Sequence, residues 1–565
     1  MKLTEGFNLL ATAPDGIKRL RELILSLAVQ GKLVPQDPND EPASELLRHI
    51  RAEKGRLIAE GKIKKDKPLP AIGDEEKPFD LPQGWEWVRM PQIAENRLGK
   101  MLDKAKNTGT AFPYLRNTNV QWHRFVLDDI KEIYLETHEL EEFRLRRGDL
   151  LICEGGEPGR CAIWRDEVDE MYFQKALHRV RTIGGVLPEF IAQCLENDAF
   201  SGRLNEYFTG ATIKHFAGQE LNRYTIPLPP LAEQSRIVAK VEELMALCDA
   251  LEARGKLEAE QHARLTATLF DALAASESAH QLQENWTRLA SSFDLILDRP
   301  EAVDALEQTL LQLAVRGLLV PQDRNDEPAS ELLKQIRAEK DRLIAEGKIK
   351  KDKPLPEIGE DEKPFELPQG WEWVRIGDLC RPVSSGSTPA ANLFLNDGGV
   401  PYLKVYNIRN QNIDFEYKRQ FISEELHRSK LRRSMLYPGD VVMNIVGPPL
   451  GKIAIIPDSH PEWNCNQAIA FFGLIPPMSP KYIWTYLCEN SFLKNIELIG
   501  TAGQDNISVT KSKNIPVPLP PLTEQSRIVA RVEALRALCA TLRERLTTSQ
   551  KIQTHLAETL VETAD

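Results

Sequence analysis

One long sequence pattern occurs twice in the chain. The segment LPPLAEQSRIVAKVEELMALCDALE begins at Leu228 and returns, slightly altered, as LPPLTEQSRIVARVEALRALCATLR from Leu519. Upstream, LAVQGKLVPQDPNDEPASELL recurs in near-identical form, and LPQGWEWVR recurs without change, starting at Leu81 and again at Leu367. Because the copies are long and there are only two, the pattern indicates a duplicated protein rather than a solenoid of short repeats.

The ends of each copy have a helical pattern. Apolar residues recur in steps of three and four before Gly31 and again before Gly317, which are natural helix stops. The helix after LPPL has an a/d seam in both copies: Ile237, Val241, Leu244, Cys248 and Leu251, then Ile528, Val532, Leu535, Cys539 and Leu542. Two matching seams favour pairing of the seams with each other, and a helix that faces the core of its own domain is the alternative.

The segments between the repeated ends differ strongly from one another. Short β-rich runs such as DLLICEGG and GDVVMNIVG are broken by Gly, Pro and Asn, which predicts compact, mostly β domains with some helix. Only weak echoes survive, namely YLRNTNV beside YLKVYNI and RRGDLLI beside YPGDVVM. The duplication therefore kept its scaffold and varied its middle segments.

Composition limits the function less than the repeats do. The chain has 72 Lys and Arg against 83 Asp and Glu, a net charge of −11, which neither supports nor excludes a nucleic-acid partner because a local basic cleft remains possible. No apolar run is long enough to cross a bilayer, and the N-terminal residues lack a signal-peptide core. The 8 cysteines are scattered without a Cys-x-x-Cys, so we expect reduced thiols, no zinc and a cytoplasmic location.

Signatures of catalysis are missing from the sequence. GPPLGK at Gly447–Lys452 resembles a phosphate loop, but it is one residue too short and lacks Ser or Thr after the lysine. No Gly-x-Gly-x-x-Gly opens a βαβ unit. The acidic runs GDEEKPF and GEDEKPF read as solvated linker charge rather than a metal site. We therefore predict no catalytic residues, no metal site and no cofactor in this chain.

IPLPPLAEQSRIVAKVE and IPVPLPPLTEQSRIVARVE, each closing a β-rich segment, resemble the hallmark of Type I restriction–modification specificity subunits. LPQGWEWVR and the GSTP that begins at Gly386 also match that family, and the helical preface is similar to its type IB branch. The resemblance implies an α+β fold with two mostly-β target-recognition domains, separated by long antiparallel coiled-coil helices in a pseudo-two-fold duplication. The domains expected on this basis are a helical region and linker (1–84), target-recognition domain 1 (85–230), a central conserved region (231–370), target-recognition domain 2 (371–521) and a C-terminal long helix (522–565).

The resemblance also implies partners. Each target-recognition domain would read one half of a bipartite site in double-stranded DNA, and the helices would set the spacer and hold two methyltransferase (modification) subunits. Restriction and translocase subunits would join through these, and S-adenosylmethionine, ATP and Mg would be bound by the partners. Two alternatives remain: an assembly scaffold without direct DNA readout, and a single-chain restriction and methylation enzyme, which would need the catalytic motifs that are missing.

Direct readout uses Arg or Lys for guanine and Asn or Gln for adenine, from loops that reach the major groove. The DNA-contact candidates of the first domain are Lys104, Lys106, Asn107, Thr108, Arg116, Asn117, Asn119, Gln121, Trp122, Arg160, Gln174, Lys175, Thr212, Lys214 and His215. Those of the second domain are Ser385, Ser387, Thr388, Lys404, Tyr406, Asn407, Arg409, Asn410, Lys452, Asn466, Gln467, Gln504 and Asn506. A phosphate contact or a solvated turn is the alternative for each, and Trp122 could equally be a core residue.

Two further features are present in both copies. Trp85 and Trp87, like Trp371 and Trp373, are kept although the middle segments differ, so we predict that they are packing anchors. The lysine-rich runs KIKKDK at Lys62 and Lys348 could contact phosphates beside the site, or an acidic surface of the methyltransferase subunit. A solvated linker is the third interpretation of these runs.

Overall fold

A computed structural model describes residues 10–65, 67–102, 109–381, 383–496, 498 and 505–562. The chain divides into two compact units. Unit 1 comprises Met1–Glu258 and Gln550–Asp565, and unit 2 comprises Ala259–Ser549. Within the described ranges, no helix is both long enough and apolar enough to cross a membrane.

The helices follow the order that the repeats predict. Unit 1 contains α1 (Gly16–Val29), α2 (Ala43–Ala59), α3 (Met90–Ile93), α4 (Leu140–Phe143), α5 (Pro188–Ser201), α6 (Gly218–Arg223) and the start of α7 (Leu231–Ala274). Unit 2 contains the end of α7, then α8 (Ala279–Ala290), α9 (Phe293–Ile296), α10 (Pro300–Val315), α11 (Ala329–Ala345), α12 (Glu424–Arg428), α13 (Pro480–Glu489), α14 (Phe492–Asn495), α15 (Val509–Lys513) and most of α16 (Leu522–Glu562).

The strands lie in the two divergent segments. Those of unit 1 are β1 (Glu86–Arg89), β2 (Ala94–Leu98), β3 (Thr110–Leu115), β4 (Val120–Gln121), β5 (Arg124–Phe125), β6 (Lys131–Leu135), β7 (Leu150–Cys153), β8 (Cys161–Ile163), β9 (Tyr172–Phe173), β10 (Leu177–Thr182) and β11 (Thr225–Leu228). Those of unit 2 are β12 (Glu372–Arg375), β13 (Ser384–Ser385), β14 (Phe394–Leu395), β15 (Val400–Leu403), β16 (Ile408–Arg409), β17 (Asn412–Ile413), β18 (Phe421–Ile422), β19 (Met435–Leu436), β20 (Val441–Asn444), β21 (Ile453–Ile455), β22 (Trp463–Cys465), β23 (Ile469–Phe472) and β24 (Pro516–Leu519).

The two units share the order of their entry pair and of one four-stranded sheet, in spite of their different sequences. In each, the first and last strands of the segment pair antiparallel, β1 with β11 and β12 with β24, so the chain enters and leaves the segment side by side. Each also has a four-stranded sheet, in the order β2-β10-β7-β8 in unit 1 and β13-β23-β20-β21 in unit 2. Buried apolar side chains on these strands build the core of each unit.

The first tryptophan of each repeated pair is a packing anchor, as predicted. Trp85 is 5% exposed, and its Nε1–H donates a hydrogen bond of 3.0 Å to Oε2 of Glu233, while Gln36 donates one of 2.6 Å to the other carboxylate oxygen. In unit 2, Trp371 and Gln322 make the same bonds to Glu524, at 2.9 and 2.6 Å. The three repeated motifs of each copy, VPQD, GWEW and LPPL followed by EQSR, therefore meet at one buried carboxylate.

The second tryptophan of each pair is half-buried and also packs. The Trp87 ring lies 5.1 Å from that of Phe79, and the Trp373 ring lies 5.2 Å from that of Phe365. These aromatic pairs hold the linker that follows α2 or α11 against the first strand of the same unit.

Both long helices belong partly to one unit and partly to the other. Helix α7 begins in unit 1 and ends in unit 2, whereas α16 begins in unit 2 and ends in unit 1. Within unit 1, Ala557 near the end of α16 belongs to the same apolar cluster as Ile237 and Val241 of α7. Within unit 2, Phe270 near the end of α7 belongs to the same cluster as Cys539 of α16.

The predicted pairing of the two seams with each other is wrong, and the alternative, a helix that faces the core of its own domain, is confirmed. The seam of α7 packs in unit 1 on Leu20 and Ile24 of α1, and Arg21 of α1 forms an ion pair of 2.6 Å with Asp249. The seam of α16 is divided between two clusters of unit 2: its first residues, such as Ile528, join the main core, and its later ones pack on α10. An a/d pattern marks an apolar face without identifying the partner, and in both copies that face turns to the core of its own unit.

Candidate nucleic-acid interface

The candidate interface of each unit is a set of loops at one end of the four-stranded sheet. We define the unit 1 loop surface as residues 99–102, 116–122, 154–160, 174–177 and 209–215. The unit 2 loop surface comprises residues 386–390, 404–411, 445–452, 466–469 and 505–507. Each set includes the loop after the first sheet strand (β2 or β13) and the hairpin loop that joins β7 to β8 or β20 to β21.

Matching backbone hydrogen bonds hold these loops together in both units. Two of them join the turn before β10 or β23 to the end of β3 or β15 and to the hairpin loop. A third joins the hairpin loop to the end of the last loop. In unit 1 they run from Gln174 to Leu115 (3.2 Å), from Glu154 to Ala176 (2.9 Å) and from Phe216 to Glu154 (2.7 Å). In unit 2 they run from Asn466 to Leu403 (3.0 Å), from Ile445 to Ala468 (2.8 Å) and from Ile507 to Ile445 (2.9 Å). The backbones of the two loop surfaces are thus held by the same hydrogen bonds, although their side chains differ.

Several predicted contacts of unit 1 are brought together around one hairpin loop. Asn117 donates from Nδ2 to the carbonyl of Gly155 (3.1 Å), and Arg160 donates to the carbonyl of Asn117 (3.1 Å). His215 bridges to Gly155 through the backbone. Arg160 also forms an ion pair of 2.5 Å with Glu157. The hairpin loop is therefore an ordered platform to which three of the predicted residues are tied.

The other predicted residues of unit 1 differ in how far they are available. Lys175, Thr212 and Lys214 are exposed, although Lys214 donates a hydrogen bond of 3.1 Å to Asn205, and Gln174 is half-buried. Three more engage neighbouring groups of the same domain: Arg116 pairs with Asp129 (2.7 Å), Gln121 donates to the carbonyl of Thr118 (3.2 Å), and Trp122 packs half-buried against the core, as its alternative interpretation allowed.

The predicted residues of unit 2 occupy the equivalent loops. The exposed ones are Thr388, Arg409, Asn410 and Gln467, and the half-buried ones are Ser385, Ser387, Lys404, Tyr406, Lys452, Asn466 and Asn506. Ser385 pairs with Ala470 in the sheet, so its backbone is structural. The Lys404 ammonium lies 4.5 Å from the centre of the Phe394 ring, and the Arg409 guanidinium lies 4.3 Å from that of Tyr417, both within cation–π range.

Two predicted readers are turn-forming residues instead. Asn119 and Asn407 are 2% and 1% exposed, and their Oδ1 atoms accept hydrogen bonds of 2.9 Å from the backbone of Arg116 and Lys404. Each side-chain amide group also donates to two backbone carbonyls of the following loop. A buried amide with this many partners cannot reach a base edge without breaking the turn. The assignment of Asn119 and Asn407 to DNA contact is therefore corrected.

Five of the predicted contacts lie outside the described residues: Lys104, Lys106, Asn107, Thr108 and Gln504. Sequence reasoning also passed over apolar side chains of the loop surfaces. Met101 and Ile213 of unit 1 are 58% and 67% exposed, and Val446 of unit 2 is 39% exposed. Apolar side chains can contact the methyl group of thymine. A search for polar readers could not find them, since a single apolar residue in a loop has no distinguishing pattern.

Each four-stranded sheet has one buried carboxylate below its loop surface. Asp149 and Asp440 are buried at equivalent positions before β7 and β20; Arg181 holds the first with two bonds of 2.7 Å, and Arg381 holds the second at 2.6 Å. Burial raises the pKa of Asp440 to about 6, although the Arg381 guanidinium opposes the shift. Burial also raises the pKa of the Cys153 thiol to about 11. These groups serve packing, since none reaches the loop surface as a free acid or nucleophile.

No group of three or more His, Cys, Asp or Glu side chains with metal-binding geometry occurs among the described residues. All eight cysteines are buried, and none forms a disulfide. The arrangement offers hydrogen-bond donors and acceptors on two matched loop surfaces, which suits recognition of an extended polar partner.

Comparison with known proteins agrees with this architecture. The model of the Type I restriction modification DNA specificity domain matches residues 82–261 and again residues 368–552. The EcoEI specificity subunit of a Type I restriction enzyme from Escherichia coli is 37% identical over 97% of this chain and 94% of its own length. The EcoAI specificity subunit, also from E. coli, is 36% identical over the same shares. A chain from a solved structure of a type I R-M system has the same fold, with a TM-score of 0.51 and 19% identity over 86% of this chain and 99% of that chain. The duplicated scaffold, the two loop surfaces and these relatives together establish that the chain belongs to the family of Type I restriction–modification specificity subunits.

Proposed function

We propose that the chain is the DNA-recognition subunit of a Type I restriction–modification complex, and that each loop surface reads one half of a bipartite site in double-stranded DNA. The observation that carries this proposal is the contrast between scaffold and loops. The buried anchors recur bond for bond in the two units, whereas the side chains on the matched loop backbones differ. A pure assembly scaffold would have no need for two different loop surfaces.

The chemistry of both loop surfaces suits DNA. In unit 1, Lys175 and Lys214 are exposed cations beside the hairpin loop, where they can meet phosphates or guanine edges. In unit 2, the amides of Gln467 and Asn410 are exposed, and amides pair with adenine. These local surfaces matter more than the net charge of −11, because many of the acidic residues lie on the exposed faces of the long helices and in the linkers.

The long helices support a second part of the proposal, namely that they set the spacer and hold two modification subunits. Exposed leucines remain on α7 and α16, among them Leu247, Leu257, Leu538 and Leu556. Apolar side chains exposed on a helix that its own unit leaves uncovered are typical of a subunit interface. The proposal keeps S-adenosylmethionine, ATP and Mg in the partner subunits, so the chain itself is non-catalytic and works away from membranes, in the cytoplasm.

The lysine-rich linkers fit the same assembly. In both units the described lysines of the KIKKDK runs are exposed, and Lys62 and Lys348 pair with the glutamates that end α2 and α11. Lys64, Lys65, Lys350 and Lys351 point to solvent, so they can meet an acidic protein surface or DNA phosphates.

A direct test is methylome sequencing of cells that express the chain with its modification subunits. The proposal expects methylated adenines within one bipartite sequence of two specific halves and an unread spacer. A gel-shift titration of the purified complex should show tighter binding to that sequence than to random DNA at the same salt concentration. Equal affinity for both DNAs, together with a methylome that lacks a bipartite motif, would remove the proposed function.

A further inference from the structure

One turn is shared by the two loop surfaces with unusual fidelity. It is the β-turn between β9 and β10 in unit 1 (174–177) and between β22 and β23 in unit 2 (466–469). Besides the bonds already described, three more match. The turn is closed by a backbone hydrogen bond from Leu177 to Gln174 (3.0 Å) in unit 1 and from Ile469 to Asn466 (3.1 Å) in unit 2. The loop after β2 donates from Gly99 to Leu177 (3.0 Å) and from Lys100 to Phe173 (3.1 Å). The loop after β13 donates in the same way, from Gly386 to Ile469 (3.1 Å) and from Ser387 to Cys465 (3.1 Å).

A glycine packs directly against the backbone of each turn and allows their close approach. A Cβ atom on Gly99 would lie 2.3 Å from the carbonyl oxygen of Gln174, and one on Gly386 would lie 2.2 Å from that of Asn466. Both contacts are far inside van der Waals distance and involve backbone that cannot yield easily. The two glycines therefore allow close contact between the turn and the loop after β2 or β13. This contact holds the apex of the turn at the same position in both units.

The side chain at that apex is what differs. The residue after the first turn position is Lys175 in unit 1 and Gln467 in unit 2, both exposed, and each is followed by an alanine. The ammonium group of Lys175 has no hydrogen bond or ion pair to the residues that the structure describes. Gln467 accepts a hydrogen bond at Oε1 from the Thr388 hydroxyl, which orients its amide and leaves the Nε2 donors and one Oε1 lone pair available.

We infer that this apex is a specificity-determining position of each half-site, with Lys175 selecting guanine in the first and Gln467 selecting adenine in the second. The inference rests on the proposed function. A lysine can donate to the O6 and N7 acceptors of guanine, whereas a glutamine can donate to N7 and accept from the N6 amino group of adenine. Thr388 is a positioning residue, because it holds the amide through Oε1.

The test exchanges the two apex residues in the complete complex with its modification subunits. Gln467→Lys should move the preference at one position of the second half-site from adenine to guanine, and Lys175→Gln should do the reverse in the first. The expected change in preference at that position is about tenfold to a hundredfold, as for one base-specific contact. Each variant should leave the other half-site unchanged, which also shows that the protein is folded.

Methylome sequencing and competition binding on a randomised DNA library both measure the base preference at the apex position. Because the binding assay does not depend on methylation, it also gives the preference of a variant that methylates slowly. Lys18→Gln and Gln283→Lys repeat the same chemical changes on exposed helices away from the loop surfaces and should leave both half-sites intact. Unaltered preferences in the exchanged variants would overturn the inference, as would uniform weakening on all sequences with a smaller salt dependence, the mark of a phosphate contact. A parent complex without any bipartite site would overturn the proposed function as well, which separates the two failures.

Discussion

Replacing Trp85 by phenylalanine removes one donor from the buried junction of the repeated motifs. The Nε1–H group of Trp85 donates to Glu233, a residue that is 1% exposed, and Gln36 supplies the other bond to that carboxylate. Burial raises the pKa of Glu233 above its ordinary 4.5, and the bonds from Trp85 and Gln36 oppose the shift. The variant therefore leaves the buried Glu233 carboxylate with the hydrogen bond from Gln36 and without the one from Trp85.

The magnitude follows from two contributions. A hydrogen bond to a charged group contributes about 1.5–3 kcal/mol to stability. The ring atoms that phenylalanine lacks were buried beside Phe190 and Gly31, and their loss should cost about 1–2 kcal/mol more. We expect Trp85→Phe to lower the free energy of unfolding of unit 1 by about 2.5–5 kcal/mol at neutral pH.

The pH dependence has a definite sign. Because the folded-state pKa of Glu233 lies above the unfolded value, burial of this group costs stability at neutral pH, and the cost disappears as the pH falls through the folded pKa towards 4.5. Loss of the Trp85 bond raises the folded pKa further. The destabilisation by Trp85→Phe should therefore be larger at pH 7.5 than at pH 5.

Urea unfolding followed by circular dichroism at both pH values measures the effect. Trp87→Phe is the matched control, because the half-buried Trp87 ring packs on Phe79 while its ring nitrogen bonds to no residue within the described part of the chain. Trp371→Phe tests the same effect independently in unit 2, because Trp371 donates to Glu524. Burial raises the pKa of Glu524 as well. Equal midpoints for Trp85→Phe and Trp87→Phe, or a shift that does not change with pH, would refute the assignment of the junction.

Three further outcomes follow from the proposed function. Exchange of residues Trp85–Pro227 for the same segment of a relative should change one half-site in the methylome and leave the other intact, whereas altered halves on both sides would contradict two independent readers. Insertion of four residues after Leu251 in α7 and four after Gln550 in α16 adds about 6 Å of rise and ~40° to each helix. One base pair turns DNA by roughly 34–36° and advances it by ~3.4 Å, so the rotation matches one pair and the rise agrees within about a factor of two. The unread spacer should therefore lengthen by about one base pair; full activity with the old spacer would show that these helices do not measure DNA. Calorimetry of the isolated chain should detect no binding of S-adenosylmethionine or ATP, and measurable heat of binding would count against a non-catalytic subunit.

Much of the scaffold could be predicted because the duplication supplies a comparison within one sequence. Trp85 and Trp371 recur in an unchanged motif while the middle segments that follow them differ, so their role in packing could be inferred before the structure was known. The same reasoning would have identified Asn119 and Asn407, which occupy the same place in YLRNTNV and YLKVYNI. Their residue type suggested adenine contact instead, because Asn is favoured both in turns and at base edges, and type alone does not separate the two roles.

Other features lie beyond what the sequence determines. The a/d seams predicted two apolar helix faces correctly, but the register of helix packing depends on which face each neighbour offers in three dimensions. Loop contacts such as Thr388 with Gln467 join residues far apart in the chain, so no local pattern encodes them. Within the candidate site, sequence identified the loops better than the individual side chains.

The duplication also separates what the fold needs from what recognition needs. The scaffold bonds are equal in the two units to within about 0.1 Å, as for Trp85 and Trp371. The carboxylates below the loops are kept too, yet Asp149 takes its arginine from β10 and Asp440 takes one that precedes β13. The requirement there is therefore a neutralised buried charge rather than a particular residue. On the loop surfaces even the chemistry changes, from lysine to glutamine on the same turn, because backbone hydrogen bonds close the turn in both units. Two readers built in this way can acquire new half-sites one at a time, since a change at either apex leaves the junctions at Glu233 and Glu524 untouched.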